Sequence, residues 1–163
     1  MTEPSKSPLW LPEMFRVDPW TDSSIELLYD IFKRSFISSK AYYNGFVVWF
    51  FPEKEDGRET IFWHLTTRAD KEIGARLPDF RRCERLPWAR PMLDNANDPA
   101  VLAWDSEEGN GDIKTYAWLK DFDYLIIMKK YKDGQRRLIT SFWVEYQNFK
   151  DKLLKKYKNK LEE

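Results

Sequence analysis

The only histidine of the chain, His64, sits in the run 62-FWHLTTR-68, and five arginines follow it closely: Arg76, Arg81, Arg82, Arg85 and Arg90. An imidazole gives or takes a proton near neutral pH, and a guanidinium grips phosphate through parallel N–H bonds. Together they are the parts of a phosphoryl-transfer site. A lone histidine in a strand is more often a structural residue bonded to a backbone carbonyl, so its reading depends on what is brought to it. In 78-PDFRRCERLPWARP-91, Pro78 suits a helix first turn and Asp79 adds a favourable charge there. Arg81 and Arg85, or Arg82 and Arg85, then share a face and could point at one phosphate. The same arginines could instead pair with Asp79 and Glu84 and brace the fold.

A third stretch is 136-RRLITSFWVEY-146. Alternation sets Leu138, Thr140, Phe142 and Val144 opposite Arg137, Ile139, Ser141, Trp143 and Glu145. The hydroxyl of Thr140 or Ser141 can hydrogen-bond a phosphate, and Trp143 or Phe142 can stack a base; the bland alternative for Thr140 or Ser141 is a strand hydroxyl without a task. Lys129 adds charge on the preceding strand. Other motifs fail: 109-GNG-111 lies in an acidic loop, and no phosphate-binding glycine loop, dinucleotide fingerprint or nucleophile elbow occurs. Asp105, Glu107, Glu108 and Asp112 fit a solvated turn better than a cation site. With one Cys and one His, a zinc cluster and an internal disulfide are excluded, and no metal or cofactor is expected.

The elements that must position these groups follow from spacing. Residues 1–20 carry four prolines and read as an irregular arm pinned by Trp10, Phe15 and Trp20, leaving 21–163 as one domain. Ile25, Leu28, Ile31, Phe32 and Phe36 predict a helix over about 22–38, capped by Thr21 or Asp22. Tyr42–Phe51 and Glu59–Thr67 read as strands flanking a polar EKEDGR loop. On the second of these, Thr60, Phe62, His64, Thr66 and Arg68 share one face, with Ile61, Trp63, Leu65 and Thr67 on the core face. Ala100–Trp104 and Ile113–Leu119 form a further strand pair, and Tyr124–Tyr131 and Arg136–Val144 a hairpin whose Asp-Gly turn favours tight reversal. From Glu145 onward, Tyr146, Phe149, Leu153 and Tyr157 make one stripe of a terminal helix with a cationic outer face. The order predicts an α+β domain: a mostly antiparallel twisted sheet of about four to six strands, an N-terminal helix, an Arg-rich helical insertion and a C-terminal helix.

Composition bounds the function. The 163 residues suffice for one domain with a real core, and 27 aromatic residues (8 Trp, 8 Tyr, 11 Phe) argue against intrinsic disorder. The formal charge is zero but unevenly spread. His64–Arg90 holds seven Lys and Arg against four Asp and Glu, and Lys129–Glu163 eleven against five. Two basic zones on a neutral chain are compatible with RNA. No apolar run approaches 20 residues and no signal-peptide pattern is present, so a cytoplasmic protein without a membrane partner is expected.

The set FWHLTTR, PDFRRCERLPWARPML, FDYLIIMKK and RRLITSFWVEY resembles small bacterial and phage ribonuclease toxins of the barnase–EndoU–colicin–RelE class, over about residues 42–157. The resemblance implies metal-independent RNA cleavage, in which the ribose 2′-OH attacks the adjacent phosphate and leaves a 2′,3′-cyclic end. It makes His64 the general acid or base. Arg82 and Arg85 would neutralise the phosphorane with help from Arg81 or Arg68, and Thr140 would contact the phosphate. Lys129, Ser141 and Trp143 would bind substrate, and a protein antitoxin or inhibitor would be the partner besides RNA. Some members of the class use a tyrosine, a second histidine or a glutamate near the last strands; this chain departs from them in carrying Phe142 and Trp143 in place of any tyrosine, which leaves the second proton-transfer group open. The alternative is a non-enzymatic RNA- or protein-binding module on the same scaffold.

Overall fold

Leu28, Phe32 and Phe36 recur at helical spacing and are buried, which fixes helix α1 (Ser24–Phe36) against the core in the computed structural model, where residues 7–162 are described. Thr21 Oγ1 accepts the Ser23 N–H at its start. The run read as one strand over Tyr42–Phe51 is instead a hairpin, β1 (Ala41–Tyr43) and β2 (Phe46–Trp49). Its turn, Asn44-Gly45, has φ of 49° and 85° at the two central residues, the left-handed pair that a two-residue hairpin requires. The EKEDGR loop contributes a small ribbon, β3 (Lys54–Glu55) with β4 (Arg58–Glu59).

The second expected strand is not a strand. Residues 60–66 form helix α2 (Thr60–Thr66). Ile61, Phe62 and Leu65 are its buried apolar residues, and spacing of one and four is helical, whereas alternation would have buried Trp63 in place of Phe62. The faces assigned above to His64 therefore do not hold. After α2 comes a hairpin that sequence reasoning missed, β5 (Thr67–Asp70) with β6 (Ala75–Pro78). Pro78 ends β6 rather than opening a helix. The Arg-rich helix α3 (Phe80–Asp94) starts behind Asp79, whose side chain accepts the N–H groups of Arg81 and Arg82.

Strands β7 (Val101–Glu107), β8 (Ile113–Leu119), β9 (Tyr124–Lys130) and β10 (Arg136–Trp143) form an antiparallel meander. The main sheet has the order β1-β2-β10-β9-β8-β7 and is antiparallel except for β2 beside β10. In the β9–β10 turn, Gly134 has φ of +91°, and any side chain there would run into the Phe46 ring. Helices α1, α2 and α3 cover one face of the sheet over a core that includes Phe62, Leu65, Met92, Ile126 and Met128. Helix α4 (Gln147–Lys158) covers part of the other face, placing Leu153 with Trp104, Trp118 and Leu125. The expected α+β architecture, with its N-terminal helix, Arg-rich helix and C-terminal helix, is thus present.

The arm runs over α3. Trp10 donates to Asp98, the Phe15 N–H to the Glu84 carbonyl, and Trp20 packs on Phe80; residues 1–6 of the expected arm lie outside the described residues. Among the described residues, no helix is long and apolar enough to cross a membrane.

Candidate functional site

The pairing of β2 with β10 is short. It joins Val48 to Arg136 and Trp49 to Arg137, after which the chain turns away from the sheet. Beyond Arg137, that side of β10 faces α2 and the β5–β6 hairpin instead of another strand. The result is a cleft of about 510 Å³ whose lining includes Phe51, Glu53, Thr60, His64, Arg76, Arg82, Arg137 and Thr140.

His64 reaches the cleft because helical spacing puts it on the same side of α2 as Thr60 and Ile61. The helix is seven residues long, so its last carbonyls lack partners within it. Neighbouring elements supply them. Arg82 Nη1 donates to the carbonyls of His64 (2.7 Å) and Thr67 (2.9 Å), Cys83 Sγ to Thr66, and Thr140 Oγ1 more weakly to His64 (3.4 Å). A cation at a helix C-terminus is also favoured electrostatically. Arg82 and Thr140 thus fix the backbone of His64 while facing the cleft themselves.

The His64 ring, by contrast, makes no hydrogen bond or ion pair among the described residues; only its backbone carbonyl is engaged. The structural alternative, an imidazole tied to a carbonyl, is not what the fold contains. Burial lowers its pKa from the ordinary 6.5, and the charges of Arg76 and Arg82 push in the same direction against a small opposing effect of Glu55. The ring is therefore neutral at pH 7 with a free nitrogen lone pair.

The arginines around it are short of counter-charge. Arg76 donates to Thr67 Oγ1 and the Thr67 carbonyl, and Arg137 donates Nε to the Tyr131 hydroxyl (3.1 Å), and neither makes an ion pair among the described residues. Arg82 lies 3.5 Å from Asp79, but its buried Nε has no hydrogen bond among the described residues. Glu53 is the one acidic side chain in the lining, and its carbonyl is held by the Thr60 N–H at the start of α2.

A β-bulge completes the arrangement. Leu138 pairs with Met128 and Thr140 with Ile127, which leaves Ile139 unpaired. The extra residue reverses the alternation read from sequence, so that Arg137 and Thr140 point the same way; bulges commonly re-aim side chains next to sites.

Of the expected site residues, His64, Arg82 and Thr140 converge in the cleft. Arg85 does not. It lies between the Trp88 and Trp143 rings (5.4 and 5.3 Å) and bonds Glu84 and the Arg81 carbonyl, a bracing role dictated by its turn of α3. Arg68, Arg81 and Trp143 line a separate groove at the start of α3, with Arg81 paired to Glu84. Ser141 is fully buried and shares a 2.6 Å hydrogen bond with Tyr124, so it cannot meet a substrate. Lys129 lies outside the cleft on β9, 3.8 Å from Asp112. Burial pushes the Cys83 thiol up to about 12, which removes it as a nucleophile. Among the described residues no cluster of three His, Cys, Asp or Glu could hold a metal ion.

Sequence reasoning missed Arg76, Arg137 and Glu53 as site residues. Arg76 stood among the five arginines, but only the unforeseen β5–β6 hairpin brings it back to His64. Comparison with family models, with curated proteins and with solved structures finds no match.

Proposed function

We propose that the chain is a ribonuclease that cuts RNA by attack of the ribose 2′-OH on the adjacent phosphorus, leaving a 2′,3′-cyclic phosphate. The observation that carries this reading is the convergence of an unbonded, neutral imidazole with three arginines that are poorly supplied with counter-ions. A cleft of this composition favours an anion, and a neutral imidazole beside it is a base. His64 takes the 2′-OH proton as the oxygen bonds to phosphorus. Arg76, Arg82 and Arg137 neutralise the charge that builds on the phosphorane, and the Thr140 hydroxyl donates to a phosphate oxygen. The bond from phosphorus to the 5′-oxygen breaks, and the leaving oxygen takes its proton from water in the open cleft. A toxin-like enzyme of this kind works on cytoplasmic RNA and is held in check by a protein that covers the cleft.

The second reading, a binding module without turnover, is favoured by one feature: Arg82 and Thr140 already serve the His64 carbonyl. End-group analysis separates the two. Purified protein incubated with RNA is expected to yield 2′,3′-cyclic phosphate ends, and His64→Ala to lower the rate by roughly 10²–10⁴-fold with the fold intact. Retention of RNA without any cyclic ends would select the binding module.

A further inference from the structure

The register of the sheet sets Lys114 of β8 opposite Lys129 of β9, and Lys129 opposite Arg137 of β10. Partners on adjacent strands lie about 5 Å apart with their side chains on one face, and like charges directly opposite destabilise a sheet. Here three cations stand in one row. Acidic relief is partial: Lys129 lies 3.8 Å from Asp112 and the charge of Lys114 acts on Glu108, but among the described residues Lys114 and Arg137 have no ion pair within 4 Å.

Rings interleave with the charges. The Arg137 guanidinium lies 4.5 Å over Phe51 and the Lys129 ammonium 5.2 Å over Tyr131. Trp49, the β2 partner of Arg137, contacts both Phe51 and Tyr131 at 5.4 Å between ring centres. Helix α4 packs on Trp104, Trp118 and Leu125 of the same face, and its Lys156 bonds Glu108 near the β7 end of the row. The row stays open, with Phe51 48 % and the Lys129 side chain 30 % exposed. Its last member, Arg137, lines the cleft, as does Phe51.

We infer that this row is a track for single-stranded RNA leading into the cleft, with phosphates over Lys114, Lys129 and Arg137 and an unpaired base against Phe51. Rings of this kind serve bases whose faces are free, which a duplex does not offer. The inference rests on the cleft accepting a phosphodiester, and it adds the strandedness of the substrate and the path by which it enters.

The test uses fluorescence anisotropy with a short labelled oligouridylate and the His64→Ala protein, so that no strand is cut during titration. The same protein carrying Lys114→Ala and Lys129→Ala is expected to bind at least about tenfold more weakly, with the slope of log K against log salt reduced by about 0.7 per lysine. Arginine at both positions restores binding. Phe51→Ala weakens binding by about fivefold or more and leaves the salt slope unchanged. Because the double alanine variant removes like-charge repulsion, its Tm stays the same or rises. Unchanged affinity and slope, a duplex held as tightly as the single strand, or a fall in Tm accompanying the loss would each overturn the track. If the strand binds through the row but wild-type protein never cuts it, the ribonuclease reading fails and the track stands. If wild-type protein cuts it while the double variant binds as before, the track fails and the ribonuclease reading stands.

Discussion

Arg136 and Arg137 are neighbours on β10 and point to opposite faces of the sheet, and they have opposite fates. Arg136 is 4 % exposed and fully engaged. It donates to Thr115 Oγ1, to the Gly134 carbonyl and to both oxygens of Asp105, and it stacks over Tyr43 at 4.9 Å. Asp105 also accepts from Thr115 and Lys130. Burial alone would raise the Asp105 pKa, but those hydrogen bonds and the charges of Arg136 and Lys130 outweigh it and hold the carboxyl below its ordinary range. Among the described residues the Arg137 side chain has one hydrogen bond, to Tyr131, and one ring beneath it. A guanidinium whose carboxylate is supplied by the fold is architecture, and one left without is available to an anion from outside. By the same rule Arg85, bonded to Glu84, belongs with Arg136 and Arg76 with Arg137, while Arg82, 3.5 Å from Asp79, stands between the two groups.

Substitutions at the two sites should separate cleanly. Arg136→Met leaves Asp105 buried with only part of its compensation, and loses stability near the lower end of roughly 3–5 kcal/mol because Lys130 remains. Urea unfolding measures this. Arg137→Met should stay within about 0.5 kcal/mol of the wild type in the same experiment, yet lower kcat/KM on RNA by about ten- to a hundredfold. Equal effects of both variants on stability would break the distinction. Thr140→Val is the smallest change. Its hydroxyl lies 3.4 Å from the His64 carbonyl, a weak bond, so the stability loss should be under about 1 kcal/mol and the rate loss under about tenfold.

Much of the scaffold was legible in the chain. The stripe of α1, that of α4 apart from Tyr146, which precedes the helix and is exposed, the strands β8 to β10 and the Asp133-Gly134 turn follow from periodicity and turn chemistry, and each lies where the spacing put it. The site was legible in its types but not in its assembly. A seven-residue apolar run rich in β-branched and aromatic residues looks like a strand, and only the tertiary burial of Phe62 with Ile61 and Leu65 makes α2 a helix. A single unpaired residue, Ile139, reverses which side chains of β10 accompany Thr140, and alternation cannot foresee a bulge. Arg85 and Arg82 share helical spacing with equal right, and their separate roles are set largely by Trp143 of β10 and the carbonyls of α2, which lie on other elements.

The depressed pKa of His64 has a consequence for stability as well as for catalysis. The unfolded chain takes up a proton at a higher pH than the folded one, so this residue's contribution is present above pH 6.5 and declines as pH falls through and below that value. The most direct test of the cleft uses the same group. As the only imidazole in the chain, His64 gives a single assignable ring signal in a proton NMR titration. The midpoint is expected below 6.5 in the free protein and should move upward when a nucleoside 3′-phosphate fills the cleft, because the added negative charge favours the imidazolium. A midpoint at or above 6.5 that the nucleotide leaves unmoved would contradict a phosphodiester site built on His64.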